Sequence, residues 1–171
     1  IEYSDKNHMK CISYDFLSKF ISENGNWKCK VDRVDYALLA YALLKLCKNP
    51  RKIYPAMNEM IRIIELNLCE DGMISYSLGK NTTIRYVDTL GVVCPFLVLY
   101  GKMYDNKRYI KMAIDQIEKF RNIGVLENYS LPCHAYDKKN SLPIGIYGWG
   151  RGTAWYFLAL IDTYRELDQS N

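Results

Sequence analysis

Acidic side chains lie at the predicted starts of two helices, where carboxylates are available for acid–base chemistry. Asp32 and Asp35 begin one of these helices, and Asp88 follows Val87 at the start of another. A structural interpretation is also open, because Asp32 fits a helix N-cap and Asp35 fits the N3 position of a capping box. The helix dipole likewise favours Asp88 in a first turn. If the two helix starts converge, the carboxylates form the pair that enzymes use as one proton donor and one charged stabiliser.

A second candidate group lies in the segment GIYGWGRGTAW, from Gly145 to Trp155. The segment lacks the lysine and the strand context of a phosphate-binding loop, so no nucleotide site is expected. Its glycines allow a sharp turn or a close approach of the backbone to another group. Arg151 stands at a predicted helix start, where the dipole disfavours a cation, and therefore needs a carboxylate partner from the protein or a ligand. Tyr147, Trp149 and Trp155 suit either core packing or stacking on a sugar ring.

His134 lies in PCHAYD, within a long predicted loop that also contains Asp137. A histidine in such a loop is either a solvated surface residue or a donor in a binding site, and its position alone does not decide between the two. Long ordered loops in compact domains are usually functional. Both residues are therefore kept as candidates for substrate binding.

The composition predicts a globular domain that neither binds nucleic acid nor spans a membrane. The 171 residues are 49% hydrophobic and 25% charged, which is ordinary for one domain with its own core. The net charge of +4 comes from scattered lysines and arginines, whereas nucleic-acid-binding proteins carry a denser basic stripe. No apolar run approaches the roughly 18 residues that span a bilayer. The 15 tyrosines supply flat faces that suit cores and sugar stacking.

The six cysteines do not predict a metal site. None of them forms a C-x-x-C pair, so we expect no zinc knuckle, no other metal and no cofactor. Cys94 shares a predicted helical face with Leu90 and Val98, as a buried thiol does. We expect free and mostly buried cysteines, which favour a reducing compartment and hence a cytoplasmic location.

Six segments have the 3.6-residue apolar period of helices. The fourth contains Pro95 in its second turn, for which we expect a kink or a late helix start. The sixth is apolar almost all round, which predicts deep burial. A short strand at 74–76 is an additional expectation. The approximate helical ranges are 12–21, 32–46, 57–68, 87–101, 109–120 and 152–167.

The two longest loops directly precede the fourth and sixth predicted helices. In an array of helical hairpins, alternate loops lie at one end of the array, so these two loops are expected to meet. This arrangement predicts that Asp88, His134, Asp137 and Trp149 lie near one another. The sequence therefore predicts an all-α fold built as an α/α array of helical hairpins.

Four segments occur in an order that is typical of one family. They are VDYALLAYALL (34–44), RYVDTLGVVCPFLVLYGK (85–102), LPCHAYD (131–137) and GWGRGTAW (148–155). Together they resemble the unsaturated glucuronyl and unsaturated rhamnogalacturonyl hydrolases of glycoside hydrolase families 88 and 105. They resemble still more closely the VpsJ-like proteins found with bacterial polysaccharide-biosynthesis genes.

The resemblance implies an (α/α)6 toroid, of which this chain supplies the N-terminal half as a single domain over residues 1–171. Three explanations are open: the chain is a fragment, a natural half-length relative, or a half that completes itself by forming a homodimer. Helices in a half-ring leave apolar flanks exposed. We therefore expect a second copy or a missing C-terminal half rather than a lone monomer.

The resemblance also implies a reaction. In the family, the aspartate at the position of Asp88 is the general acid and base that protonates C4 of a 4,5-unsaturated uronic acid at the non-reducing end of an oligosaccharide. Water then adds at C5. A second aspartate assists, for which Asp35 is the first choice and Asp32 the reserve. A carboxyl group that protonates carbon near neutral pH needs burial beside apolar walls, which the aromatic residues of the loops are expected to supply.

The implied partner is an oligosaccharide or polysaccharide. Arg151 is expected to face the substrate carboxylate, and Trp149 or Trp155 to stack on a ring. The alternative is a non-catalytic glycan-binding protein of extracellular or capsular polysaccharide biosynthesis that uses the same pocket. The candidate substrate-binding residues are His134, Arg151, Trp149, Trp155, Tyr147, Asp32 and Asp137.

Overall fold

The helix from Val87 to Met103 lies at the centre of the fold. In the computed structural model, which describes residues 16–76 and 83–168, every residue from Val87 to Gly101 is buried except Asp88. This helix packs against three others, and their facing side chains form one apolar core. Asp88 is thus the residue of this stretch that reaches solvent.

Six helical segments are present in the described part of the chain. They are α1 (16–20), α2 (Tyr36–Leu46), α3 (Tyr54–Leu66), α4 (Val87–Met103), α5 (Lys107–Gly124) and α6 (Gly150–Asp168), with short 3-10 helices at Pro50–Ile53 and Glu127–Tyr129. The predicted helical array is confirmed. Residues 12–15 of the first predicted helix lie outside the described residues, as do residues 77–82 of the loop before α4. None of the helices within the described ranges is both long and apolar enough to cross a membrane.

Two small antiparallel sheets lie in the long loops. Their strands are β1 (Ile84–Tyr86), β2 (Val125–Leu126), β3 (Leu131–Pro132), β4 (Ala135–Asp137) and β5 (Leu142–Ile144), ordered β1–β4–β5 in one sheet and β2–β3 in the other. Tyr86 pairs with Ala135, and the N–H of Val87 donates to the carbonyl of His134 at 3.0 Å. This pairing ties the start of α4 to the loop that carries His134. The strand expected at 74–76 is reduced to one isolated bridge between Leu68 and Ile74.

Helices α2, α4 and α6 run in the same direction. At one end of the fold, Asp35, Asp88 and Arg151 from their N-terminal ends line a common cavity. At the other end, Lys45 of α2 lies 2.7 Å from the Glu166 carboxylate of α6, and Lys102 of α4 donates to the Glu166 carbonyl. Alternate helices therefore point the same way, as an array of hairpins requires.

Glu166 joins the C-terminal ends of α2 and α6. Its carboxylate is buried and accepts hydrogen bonds from Tyr41 at 2.6 Å and from the exposed Lys45 at 2.7 Å. We expect Glu166→Gln to lower the free energy of unfolding by about 1–2 kcal/mol, because the amide oxygen still accepts from Tyr41 but the ion pair is lost. Urea unfolding measures this change, with Glu59→Gln on the exposed face of α3 as the control. Equal stability of the two variants would contradict this role of Glu166.

The start of α2 differs from the prediction. The helix begins at Tyr36 rather than at Asp32, and Asp35 occupies the N-cap position without a side-chain capping hydrogen bond. Asp32 pairs instead with Lys30 at the surface, with a nitrogen–oxygen distance of 3.1 Å. The interpretation of these two acids as caps is therefore wrong, and the Asp35 carboxylate interacts elsewhere.

Pro95 does not delay α4. The helix is continuous from Val87 through Pro95 to Met103, so the expected late start is wrong. Proline removes one backbone hydrogen-bond donor, which is costly in an isolated helix. Most helical stability in proteins comes from tertiary packing, and α4 is packed on all sides.

Helix α6 is buried on one side only. Tyr156, Ala159 and Thr163 are buried towards the core, whereas Phe157 and Ile161 are exposed together with Leu158 and Tyr164. The expectation of burial all round is therefore wrong. Apolar residues are buried only where another element covers them, and the described residues cover α6 chiefly through α4.

The cysteines are less buried than expected. Cys94 and Cys133 are buried, Cys47 and Cys69 are half-buried, and Cys29 is exposed. Burial raises the pKa of the Cys133 thiol to about 11, so this thiol stays protonated and unreactive at neutral pH. The expectation that most of the cysteines are buried does not hold for those that the structure describes.

Candidate active site

A cavity of about 530 Å³ opens at the N-terminal ends of α2, α4 and α6. Its wall combines two carboxylates, a histidine and an arginine with aromatic and aliphatic surfaces. A concave site with a few convergent polar groups on an apolar wall is typical of ligand-binding sites. The lining residues are Asp35, Leu38, Tyr76, Tyr86, Asp88, Val92, His134, Arg151 and Trp155.

Asp88 is the most enclosed charged group of this cavity. Its side chain is 17% exposed, and Oδ2 is buried and makes no hydrogen bond with the described residues. His134 Nε2 lies 3.7 Å from Oδ2, and Arg151 Nε lies 3.6 Å from Oδ1. These distances are within the range of ion pairs but too long for hydrogen bonds. The carboxylate therefore keeps its hydrogen-bonding capacity for a ligand.

Two local features bring His134 beside Asp88. The first is the pairing of β1 with β4, which holds the His134 carbonyl on the N–H of Val87. The second is Gly145, whose φ is +79° and whose missing Cβ would lie 2.9 Å from Cβ of His134. A glycine is needed there because a side chain would strain the backbone and meet the histidine.

Trp149 connects His134 with Arg151. The Trp149 and His134 rings meet edge to face with centroids 4.7 Å apart, and the Arg151 guanidinium carbon lies 4.2 Å from the centre of the Trp149 ring. Trp149 is not among the residues that line the cavity, whereas Trp155 is. The carboxylate partner that Arg151 requires at its helix start is Asp88.

Asp35 enters the cavity together with a tyrosine that the sequence did not single out. Burial raises the pKa of Tyr76 to about 12, and the hydrogen bond to the Asp35 carboxylate and the charge of Asp88 add to the shift. Tyr76 therefore remains a protonated donor at neutral pH. Its ring packs edge to face on Tyr86, with centroids 5.9 Å apart, and Tyr86 packs in turn on His134 at 5.4 Å.

Besides Trp149, three other predicted site residues do not line this cavity. Asp32 is paired with Lys30 at the surface. Asp137 accepts hydrogen bonds from the Asn140 side chain at 2.6 Å and the Lys139 N–H at 2.9 Å, so it closes its own turn and does not line the cavity. Tyr147 is half-buried and packs against the core. Their candidate roles stay predictions from the sequence.

Sequence reasoning missed Tyr76 and Tyr86, along with Leu38 and Val92 of the apolar wall. The two tyrosines lie in the long segment before α4, but no pattern distinguished them from the other tyrosines. In the described ranges, no cluster of histidine, cysteine, aspartate or glutamate has the size to hold a metal ion.

Comparison with known proteins gives one family. The sequence model of the family described as Glycosyl Hydrolase Family 88 matches residues 1–171. No curated protein gives a significant match in sequence.

Solved structures share the fold. A family 105 glycoside hydrolase from Clostridium acetobutylicum superposes with a TM-score of 0.76 at 20% identity, over 94% of this chain and 48% of its own. A possible family 105 member from Klebsiella pneumoniae superposes with a TM-score of 0.76 at 17% identity, over 95% of this chain and 43% of its own. A possible family 105 member from Salmonella enterica superposes with a TM-score of 0.75 at 18% identity, over 97% of this chain and 45% of its own.

This chain spans about half the length of those structures. It therefore corresponds to about half of an (α/α)6 toroid, as the sequence predicted. The finer likeness to VpsJ-like proteins and the bacterial origin stay predictions.

Proposed function

Because the chain belongs to glycosyl hydrolase family 88, we propose that its cavity hydrates the double bond of a 4,5-unsaturated uronic acid at the non-reducing end of an oligosaccharide. The observation that carries the proposal is the Asp88 carboxyl group, which is 17% exposed in the cavity wall, lies 3.7 Å from His134 and 3.6 Å from Arg151, and makes no hydrogen bond with the described residues. A carboxyl group that makes no hydrogen bond within the protein is available to exchange a proton with a bound substrate and with water.

Asp88 acts as general acid and then as general base in this proposal. In its protonated form it gives the proton to C4, and the electron pair of the double bond forms the new C–H bond. The positive charge at C5 is shared with the ring oxygen. Water adds at C5 while the Asp88 carboxylate accepts a proton from it, which restores the acid. The resulting hemiketal opens by breaking the bond between C5 and the ring oxygen, which leaves a ketone at C5 and a hemiacetal at C1. Breakdown of that hemiacetal to an aldehyde breaks the glycosidic bond and releases the neighbouring sugar, whose oxygen takes up the proton.

The surrounding groups have roles that follow from their chemistry. Asp35 stabilises the positive charge that develops at C5. Arg151 is 60% exposed and uses its guanidinium donors to bind the substrate carboxylate beside Asp88. His134 donates to substrate oxygen atoms, and the ring of Trp155 in the cavity wall contacts a sugar face.

The cavity that contains Asp88 is proposed to be completed by walls from the other half of a toroid. The exposed apolar side of α6 and the half-length match to solved structures support this. A second copy of this chain or further residues of a longer chain are the two sources considered. Either would enclose the cavity and exclude water from Asp88.

One assay tests the function. The protein is incubated with an unsaturated glucuronyl disaccharide, and the ultraviolet absorbance of the conjugated double bond is followed. We expect absorbance to fall with unsaturated substrates and sugar release to be absent with a saturated disaccharide of the same linkage. Unchanged absorbance with substrates of several linkages would overturn the proposed hydrolase activity. Saccharide binding without turnover would favour the glycan-binding alternative.

A further inference from the structure

Trp149 contacts the two residues that flank the Asp88 carboxylate. Its ring meets that of His134 at a centroid distance of 4.7 Å and an interplanar angle of 69°. The guanidinium of Arg151 lies over the same indole at 4.2 Å. His134 and Arg151 lie 3.7 Å and 3.6 Å from the two oxygens of Asp88. One side chain therefore touches both of the residues that flank the proposed acid.

The backbone around Trp149 is held on both sides. Gly148 has a φ of +73°, its N–H donates to the Pro132 carbonyl at 3.0 Å, and it lies against Leu131. The Trp149 carbonyl accepts from the N–H of Thr153 at 2.9 Å in the first turn of α6. Trp149 is thus anchored between β3 and α6 in a fixed position.

We propose that Trp149 is a positioning residue that holds His134 and Arg151 against Asp88, rather than a platform for a sugar ring. The inference rests on the proposed function for its kinetic consequences. A stacking platform must line the cavity, and Trp155 does so while Trp149 does not. The contact with Trp149 matters most for Arg151, because this side chain is largely exposed and would otherwise sample many rotamers.

The kinetic test compares Trp149→Leu with Trp149→Phe. The leucine variant removes the aromatic face, and we expect kcat to fall roughly 10- to 100-fold because the groups that flank Asp88 are misplaced. KM is expected to rise as well, because Arg151 binds the substrate carboxylate in the proposed function. The phenylalanine variant keeps a ring against both partners and recovers most of kcat. A rise in KM at constant kcat would indicate a lost platform and overturn the inference. So would an unchanged kcat in the leucine variant.

A second readout does not depend on turnover. The mobility of the Arg151 Nε–H group is measured by nuclear magnetic resonance relaxation in the wild-type protein and both variants. We expect an ordered Nε–H in the wild type and in Trp149→Phe, and a mobile one in Trp149→Leu. Equal order in all three overturns the inference. Lost order without any hydrolase activity supports the positioning role while the proposed function fails.

Folding of the variants is checked by thermal unfolding. Trp149 is 37% exposed, so the leucine substitution opens no fully buried cavity. If Trp149→Leu does not fold, Trp149→Met supplies a second non-aromatic side chain. The same loss of kcat and the same mobility of the Arg151 Nε–H group are expected for it, and their absence overturns the inference.

Discussion

Replacing Asp88 by asparagine is expected to lower kcat of the hydration reaction by about 10²- to 10⁴-fold, the usual contribution of a general acid–base group. Asparagine has nearly the same shape and keeps an acceptor oxygen near His134 and Arg151, which lie within 3.7 Å of the Asp88 carboxylate. It has no acidic proton to give to C4. The loss therefore falls on the chemical step, and steady-state kinetics with the unsaturated disaccharide measures it.

The matched control for Asp88→Asn is Asp115→Asn. Asp115 lies on α5, where it pairs with Lys111 at 2.9 Å, away from the cavity-lining residues. The same chemical change there is expected to leave kcat near the wild-type value, because exposed pairs within a helix contribute little. Wild-type activity in Asp88→Asn, with unfolding unchanged, would remove Asp88 from the proposed mechanism.

Gly91→Ala is expected to lower the free energy of unfolding by about 1–2 kcal/mol, because an overpacking cost of about 2–3 kcal/mol is only partly offset by the roughly 1 kcal/mol by which alanine favours a helix interior. A Cβ at Gly91 of α4 would lie 2.6 Å from the carbonyl oxygen of Trp155 and 2.7 Å from its ring. A carbonyl cannot turn away as a side chain can, so α6 has to move. Urea unfolding measures the loss of stability.

Gly91→Ala also has a consequence at the cavity. Trp155 lines the cavity, so a shift of α6 displaces this ring and Arg151 together. Gly150→Ala is the matched control, because a Cβ at Gly150 meets no atom within 4 Å. We expect Gly150→Ala to be as stable as the wild type or slightly more stable. If Gly91→Ala were equally stable, the close α4–α6 contact would not constrain the fold.

Much of the helical array is predictable from local patterns. The start of α4 near Val87 follows from the apolar period, and the end of α5 at Gly124 follows from the glycine that stops it. Each signal lies close in sequence to the helix end that it predicts. The family was likewise identified from short segments in order, and the match over residues 1–171 confirms it.

The small sheets were not predictable in the same way. Strands β1 and β4 are three residues each, too short for an alternating pattern, and they form because they pair across the loops. That pairing places His134 beside Asp88. The exposure of one side of α6 was also not predictable, since an apolar pattern does not say whether another element covers it.

By itself, the sequence determined the helices, the family and the group of candidate residues that includes Asp35, Asp88, His134 and Arg151, because residue type and period are local properties. Only the tertiary structure decided which of them meet. It placed Asp32 and Asp137 outside the cavity, brought Tyr76 into it, and set Trp149 behind His134 and Arg151 rather than in the wall. The physical reason is that these contacts join residues far apart in the chain. Packing and strand register determine such contacts, and no short segment contains them.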